Sequence, residues 1–168
     1  MSDLLVRPAV RDDLATLQPL VQRAYRGDAA RAGWTHEADL LDGERIGVDE
    51  LAAMIADPGE RLLVGFDGDR MIGCVRVADS GGGLAYLGLL CVDPLLQTAG
   101  YGKQLIAAAE ATARDTFAAD RIEMTVIDRR AELIAFYLRR GYAQVGTRAF
   151  PVLVDPPLHM VVLEKPLG

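Results

Sequence analysis

The stretch "CVDPLLQTAGYGKQL", Cys91 to Leu105, narrows the fold more than any other part of the chain. An apolar run, Leu84 to Val92, ends at Asp93-Pro94, where a proline cannot continue a strand ladder. Two glycines follow one residue apart, Gly100 and Gly102, and then an alanine-rich stretch of helical composition. Strand, short polar loop and helix start, in that order, put free N–H groups and the positive end of a helix at the edge of a sheet. Glycines let such a loop close on a ligand with no Cβ in the way. The arrangement suits a ligand that carries phosphate.

The rest of the chain supplies the sheet. Leu4 to Val6 reads as a first strand. Asp12 or Asp13 can cap a helix whose Leu14, Leu17 and Val21 recur at helical spacing, with Pro19 predicting a kink or an early break. Gly27 to Gly47 reads as loop, and Asp49 opens a short helix through Ala56 that Asp57-Pro58-Gly59 ends. Arg61 to Phe66 and Met71 to Ala78 form a hairpin about Asp67-Gly68-Asp69, and Gly81-Gly82-Gly83 turns the chain into Leu84 to Val92. A helix from Gly100 to about Ala118, a strand from Arg121 to Ile127, and a helix that Asp128 caps and Gly141 closes come next. Tyr142 to Phe150 and His159 to Leu163 read as the last strands. The expected fold is α/β, a single domain of 168 residues with a mixed, mostly antiparallel sheet and helices on both faces.

Three phosphate-binding patterns compete for the loop. A P-loop needs glycine at 97 and serine or threonine at 104, and both positions are glutamine. A dinucleotide fingerprint needs a third glycine where Leu105 stands, and an acid closing the next strand, whereas Asp120 precedes it. The third pattern, Q/R-x-x-G-x-G/A between a strand and a helix, is met by Gln97, Thr98, Ala99, Gly100, Tyr101 and Gly102. With "YLGLLCVDP" before it and an Ala/Leu helix after it, the chain resembles the GCN5-related N-acetyltransferases (GNAT), and the order of elements resembles that acyl-CoA N-acyltransferase fold along nearly its whole length.

The resemblance implies acetyl-coenzyme A as cosubstrate, with its pyrophosphate on the 97–102 loop. Thr98 and Ala99 are neutral where many relatives carry a cation, so Lys103 is the nearest positive side chain and backbone donors carry the contact. It implies that Leu90, Cys91 and Val92 belong to the strand whose backbone pairs with the pantetheine arm, and that this strand splays from its parallel neighbour there. A backbone N–H nearby would polarise the thioester carbonyl. "DRRAELIAFYLRRGYAQVG", Asp128 to Gly146, resembles the later family motif and sets Tyr137 beside the coenzyme sulfur, as proton donor to the departing thiolate. Read alone, Tyr137 fits an amphipathic core residue better than a proton donor, since Leu133 and Ile134 share its face; the motif reverses that preference.

The resemblance leaves the base open. Some relatives place a glutamate on the strand before the loop; that position is Tyr86 here, which lines the acceptor side instead. Glu123 on the following strand and Glu37 in the long loop are the substitutes, alongside a water chain. Trp34 and Glu37 lie in "GWTHEADLLDGERIG", where the family's acceptor side falls, and an aromatic beside carboxylates suits a cationic amine. Charged residues in solvent around a pinned Trp34 describe the same segment equally well.

Cys74 and Cys91 both sit in strand-like runs and read as buried thiols of a reducing compartment, without a Cys–His pairing that would make Cys91 a nucleophile. A net charge of −6 lacks the basic stripe of a nucleic-acid platform. No apolar run approaches the ~18 residues of a membrane span, and the N-terminus lacks a signal pattern. His36 and His159 have no metal-ligand spacing, so no metal is expected. The sequence thus predicts a cytoplasmic enzyme that acetylates a primary amine, a small cationic molecule, by direct attack; a non-catalytic coenzyme A-binding sensor or regulatory module of the same fold is the alternative. The final strands would offer a sheet edge for a homodimer.

Overall fold

The computed structural model describes residues 4–25, 47–96, 100–149 and 159–168. Their strands are β1 (Leu5–Pro8), β2 (Glu60–Asp67), β3 (Arg70–Gly81), β4 (Leu84–Val92), β5 (Arg121–Ile127), β6 (Ala143–Ala149) and β7 (His159–Pro166). The helices among them are α1 (Leu14–Tyr25), α2 (Val48–Ala56), α3 (Tyr101–Phe117) and α4 (Ala131–Arg139). The strands form one sheet in the order β1-β2-β3-β4-β5-β7-β6. Every neighbouring pair is antiparallel except β4 and β5, which are joined through α3 as a parallel crossover. The mixed sheet with helices on both faces is therefore the fold the chain adopts.

Each face has its own core. On one, Leu105, Ile106, Ala109 and Ala113 of α3 and Tyr137 of α4 meet Ile72, Val75 and Val77 of β3 and Ile122, Met124 and Val126 of β5. On the other, Leu14, Leu17, Leu20 and Val21 of α1 and Leu51 of α2 meet Leu62, Val64, Cys74 and Cys91. Alternation along β5 gives Ile122, Met124 and Val126 to the first core and turns Glu123 and Thr125 to the opposite face.

Several boundaries differ from the sequence expectation for local reasons. Helix α1 runs through Pro19 without a break. The proline is exposed, and so is Ala15, whose carbonyl loses its partner and can be hydrated instead. Asp13 directly precedes α1, but its carboxylate turns back from the helix. It ends a 3₁₀ turn, Arg11–Asp13, and its carboxylate accepts from the Val10 N–H and from Arg7. Arg7 and this hydrogen bonding hold the Asp13 carboxyl below the ordinary carboxylate range. Helix α2 starts at Val48, one residue before Asp49, where Glu50 reaches back to the Gly47 N–H at 3.4 Å. Asp128 does not cap α4: the N-cap is Arg130, and Asp128 is exposed two residues upstream, its N–H donating to the His159 carbonyl. Gly141 does close α4, at φ +99°, with the Tyr142 N–H on the Tyr137 carbonyl and the Gly141 N–H on the Leu138 carbonyl. The Gly27 to Gly47 loop reading falls, up to residue 46, outside the described residues. No helix among them is long and apolar enough to cross a membrane.

Candidate coenzyme and acceptor site

The site begins where the parallel ladder stops. Strands β4 and β5 pair at Leu84–Arg121, Ala85–Ile122 and Tyr86–Glu123, and no further. From Leu87 to Val92, β4 continues beside β3 alone, while β5 continues beside β7. The cause is a bulge. Arg76 pairs with Gly88 but Cys74 pairs with Cys91, so β4 spends one residue more than β3 over the same length. Leu89 absorbs it at φ +49°, a conformation that side chains other than glycine seldom take. Gly73 of β3 makes room, since a Cβ there would run into the Cys91 carbonyl oxygen. A wedge thus opens between β4 and β5 beyond Tyr86.

The chain leaves β4 at Asp93, whose Oδ1 accepts the Leu95 N–H and starts the 3₁₀ turn Pro94–Leu96. Gln97, Thr98 and Ala99 lie outside the described residues. Gly100 then caps α3 at φ +82°, a left-handed value that explains why glycine stands there. Tyr101, Gly102 and Lys103 form the first turn, whose N–H groups have no partners within the helix. Among the described residues, a Cβ on Gly102 would meet nothing closer than the Phe136 ring, 3.8 Å away. Lys103 is exposed, whereas Tyr101 is buried and contributes only its backbone to this turn.

Tyr137 lies on α4, in the core that α3 and α4 share with β3 and β5. Its ring packs edge-on against Phe136 and Tyr142, with centroids 5.4 Å and 6.0 Å away. It is 5% exposed, and among the described residues its hydroxyl has no hydrogen-bond partner. Burial pushes the phenol well above its ordinary range; the Arg130 charge opposes the shift and Tyr86 adds to it.

On the opposite face, the Tyr86 hydroxyl and Thr125 Oγ1 stand 2.8 Å apart and bridge β4 to β5 just past their last rung. Glu123 is buried, and both its oxygens accept from Arg148 Nη2, at 3.1 and 3.2 Å. Arg76 pairs with Glu60 and lies near Gly88. The Cys91 sulfur is turned away from the wedge into the α1 core, 3.3 Å from Cys74, and both cysteines are free thiols. Cys91 therefore offers the wedge its backbone and not a nucleophile. Trp34 and Glu37 lie outside the described residues. Tyr86, Leu90 and Val92 thus lie on β4 at and beyond the end of its β5 ladder, Gly100, Gly102 and Lys103 at the start of α3, Tyr137 in the α3 core, and Glu123 on the opposite face of β5. Sequence reasoning missed Thr125, Arg148 and Arg130. Of these only Arg130 carried a signal, as a cation about two helical turns before the expected tyrosine. No cluster that could hold a metal occurs among the described residues.

This geometry has counterparts. The chain superposes on a spermidine N-acetyltransferase chimera from Vibrio cholerae and hSSAT at TM-score 0.76 and 18% identity, covering 99% of this chain and 96% of that one. It superposes on an acetyltransferase of the GNAT family from Streptococcus pneumoniae at TM-score 0.74 and 18% identity, covering 98% and 99%. It matches yncA from Salmonella typhimurium, solved with its cofactor acetyl-CoA, at TM-score 0.76 and 16% identity, covering 99% and 95%. At such identities the likeness speaks for the fold alone. Among curated proteins, none matches the sequence. The sequence model of the acetyltransferase (GNAT) family does match, over residues 19–142, which is more than half of the chain. The chain belongs to the GNAT acetyltransferase family.

Proposed function

We propose that this protein transfers an acetyl group from acetyl-coenzyme A to the primary amine of a small molecule by direct attack. The observation that supports the reading is the wedge: β4 leaves β5 after Tyr86, and we take the buried Tyr137 and the first turn of α3 to serve it. The residues fit the coenzyme. Gly102 leaves space that no described residue closely fills, the first turn of α3 offers backbone donors, and the stretch of β4 beyond its β5 ladder suits an extended amide-bearing arm. Bound there, acetyl-coenzyme A would supply an activated acetyl thioester.

The chain's own part is binding, orientation and proton handling. Gly100, Gly102 and Lys103, with Gln97, Thr98 and Ala99 before them, would hold the pyrophosphate. Leu90, Cys91 and Val92 would align the arm through their backbone. As the amine nitrogen bonds to the acetyl carbon and the carbon–sulfur bond breaks, the Tyr137 hydroxyl would give its proton to the sulfur. Its raised pKa keeps that proton in place at neutral pH. A base or water chain must take the proton from the amine, so activity should rise with pH through the pKa of that group.

A small cationic amine is the acceptor we favour, received by Trp34 and Glu37 and by Glu123 beside Tyr86; the spermidine enzymes of the same fold support the amine class. The working compartment would be the cytoplasm. One observation favours a non-catalytic coenzyme-binding module instead: Glu123, the carboxylate nearest the expected base position, is held by Arg148. Thiol release from acetyl-coenzyme A with a panel of amines separates the two, since a module releases none. Calorimetry of Gly102→Val tests the coenzyme site. Coenzyme A binding should weaken at least about tenfold, or 1.4 kcal/mol, in a variant whose fold accepts the side chain; unchanged affinity would remove the reading.

A further inference from the structure

Both shoulders of the 97–99 loop are tied to one β-turn. Asp67 and Arg70 face each other across the turn that joins β2 to β3, as the last rung of that hairpin. Asp67 Oδ2 accepts the Tyr101 hydroxyl at 2.6 Å, at the first residue of α3. Arg70 Nη2 donates to Asp93 Oδ2 at 3.5 Å, at the end of β4, and Arg23 approaches the same oxygen at 3.7 Å. Asp93 is 6% exposed, and its other oxygen holds the Leu95 N–H of the near shoulder. The Asp93 N–H in turn donates to the Ile72 carbonyl, on the strand that Arg70 begins.

We propose that Tyr101, Asp67 and Arg70 are positioning residues for coenzyme binding, the β2–β3 turn fixing how the first turn of α3 presents its N–H groups to the pyrophosphate. This rests on the coenzyme reading above.

The argument is geometric. A helix start binds an anion through two or three backbone N–H groups that must converge on one point, so a small rotation about the helix axis spoils all of them together. Leu105, Ile106, Ala109 and Ala113 hold the helix from its second turn onward. In the first turn Gly100 and Gly102 flank Tyr101 and bring no side chain, so Tyr101 is the buried anchor there. Its ring lies in the α3 core and its hydroxyl ends on a carboxylate, a charge-assisted bond of the strong kind. That bond, with burial adding to it, raises the phenol above its ordinary range, so the hydroxyl stays a donor throughout the working pH range. A loop with neutral Thr98 and Ala99 depends on backbone donors, and backbone donors depend on this orientation.

A matched control exists in the same fold. Tyr142 is also a buried tyrosine that donates to a carboxylate, Glu110 Oε2 at 2.9 Å, but it meets α3 in the helix interior, far from the loop. The test compares Tyr101→Phe with Tyr142→Phe by calorimetry with coenzyme A and by thermal melting. Both variants keep the ring and should lose similar stability. Only Tyr101→Phe should weaken coenzyme A binding, by about fivefold, a part of what a charge-assisted hydrogen bond is worth. Asp67→Ala should do the same, and Asp67→Asn, which keeps an acceptor oxygen, should lose less. Arg70→Met should shift affinity in the same direction. With acetyl-coenzyme A and S-acetylpantetheine as donors, the ratio of their kcat/KM values should fall in Tyr101→Phe, because only the first carries a pyrophosphate. If Tyr101→Phe binds coenzyme A as Tyr142→Phe does, the proposal is overturned and the bond is structural. A wild type that binds no coenzyme A overturns the coenzyme reading itself, and the proposal with it.

Discussion

The Cys74 thiol donates to the carbonyl oxygen of Leu89, 3.4 Å away, at the residue whose positive φ makes the bulge in β4. The Cys91 thiol lies against the Cys74 sulfur at 3.3 Å. A bulge leaves a carbonyl without its ladder partner, and here a buried cysteine serves it. The hydrogen bond with Cys91 and then burial push the Cys74 thiol well above its ordinary range, so it remains a protonated donor.

Cys74→Ala should therefore cost more than a small cavity. An unsatisfied buried carbonyl adds about 1–3 kcal/mol, read as a lower denaturant midpoint. Cys74→Ser keeps a donor and should recover most of the loss. In the folded protein neither thiol should react with iodoacetamide at pH 8, and both should react after denaturation, as intact mass will show. Rapid alkylation of folded protein would contradict this arrangement.

The crowding behind the bulge gives a second test. Gly73→Ala sets a Cβ against the Cys91 carbonyl, which is backbone and cannot swing aside. β4 must shift, at about 1–3 kcal/mol, and coenzyme A affinity should fall with stability. Gly146→Ala, with no described residue within 4 Å of the added carbon, is the control and should leave both nearly unchanged. Equal behaviour of the two variants would show that the bulge does not depend on Gly73.

How much of this could be read beforehand depends on where the information sits. Leu84 to Val92 and Arg121 to Ile127 are legible to the residue because Gly83, Asp93-Pro94, Asp120 and Asp128 mark the ends of apolar runs. Gly141 is legible because a closing glycine is a local device. β3 runs past Ala78 to Gly81 because Asp79 and Gly81 find partners in Ala85 and Leu84, and pairing is not local. Pro19 misleads because its cost depends on exposure, which the sequence does not give. The site divides the same way. Gly100, Gly102 and Tyr137 stand in recognisable motifs. The Leu89 bulge, the Cys74–Cys91 contact, Arg148 on Glu123 and Asp67 on Tyr101 follow from register alone, over separations that no motif spans.

Tyr137→Phe deletes one proton donor and keeps the ring contacts with Phe136 and Tyr142. Turnover should fall by roughly 10²-fold with little change in coenzyme A affinity. Because burial raises this phenol above its ordinary value, the wild-type rate should not decline through loss of the Tyr137 proton below pH of about 10. Wild-type turnover in the variant would return Tyr137 to the core.

Tyr137 and Tyr142 also shape stability at high pH. Burial raises both phenols, with the charge of Glu110 raising Tyr142 further. Above the ordinary phenol value of about 10, the unfolded chain releases these protons while the folded one retains them. The folded state then binds more protons, so stability falls as pH rises. It is complete below pH of about 10 and declines above it. Melting temperatures from pH 8 to 11 should show this, with a shallower decline in Tyr142→Phe. An equal slope in the variant would assign the decline to other groups.

Glu123 and Arg148 decide what the acceptor side does. Glu123 is buried, its two oxygens face one guanidinium nitrogen, and the Arg148 side chain is 48% exposed. A carboxylate so engaged is placed to receive a cation that competes with Arg148 more than to strip a proton. Glu123→Gln keeps an oxygen for Arg148 and removes the charge. The KM for a cationic amine should rise several-fold while kcat stays within about threefold, whereas loss of a general base would lower kcat by roughly 10²-fold or more. Arg148→Met should do the opposite. It leaves the carboxylate for the amine, so the acceptor KM should fall, while the free protein loses about 1–2 kcal/mol, less than a fully buried pair would, because Arg148 is half in water. Opposite shifts in KM place Glu123 in amine recognition. A collapse of kcat in Glu123→Gln, with KM unmoved, would make it the base, and the cation would then have to be received elsewhere.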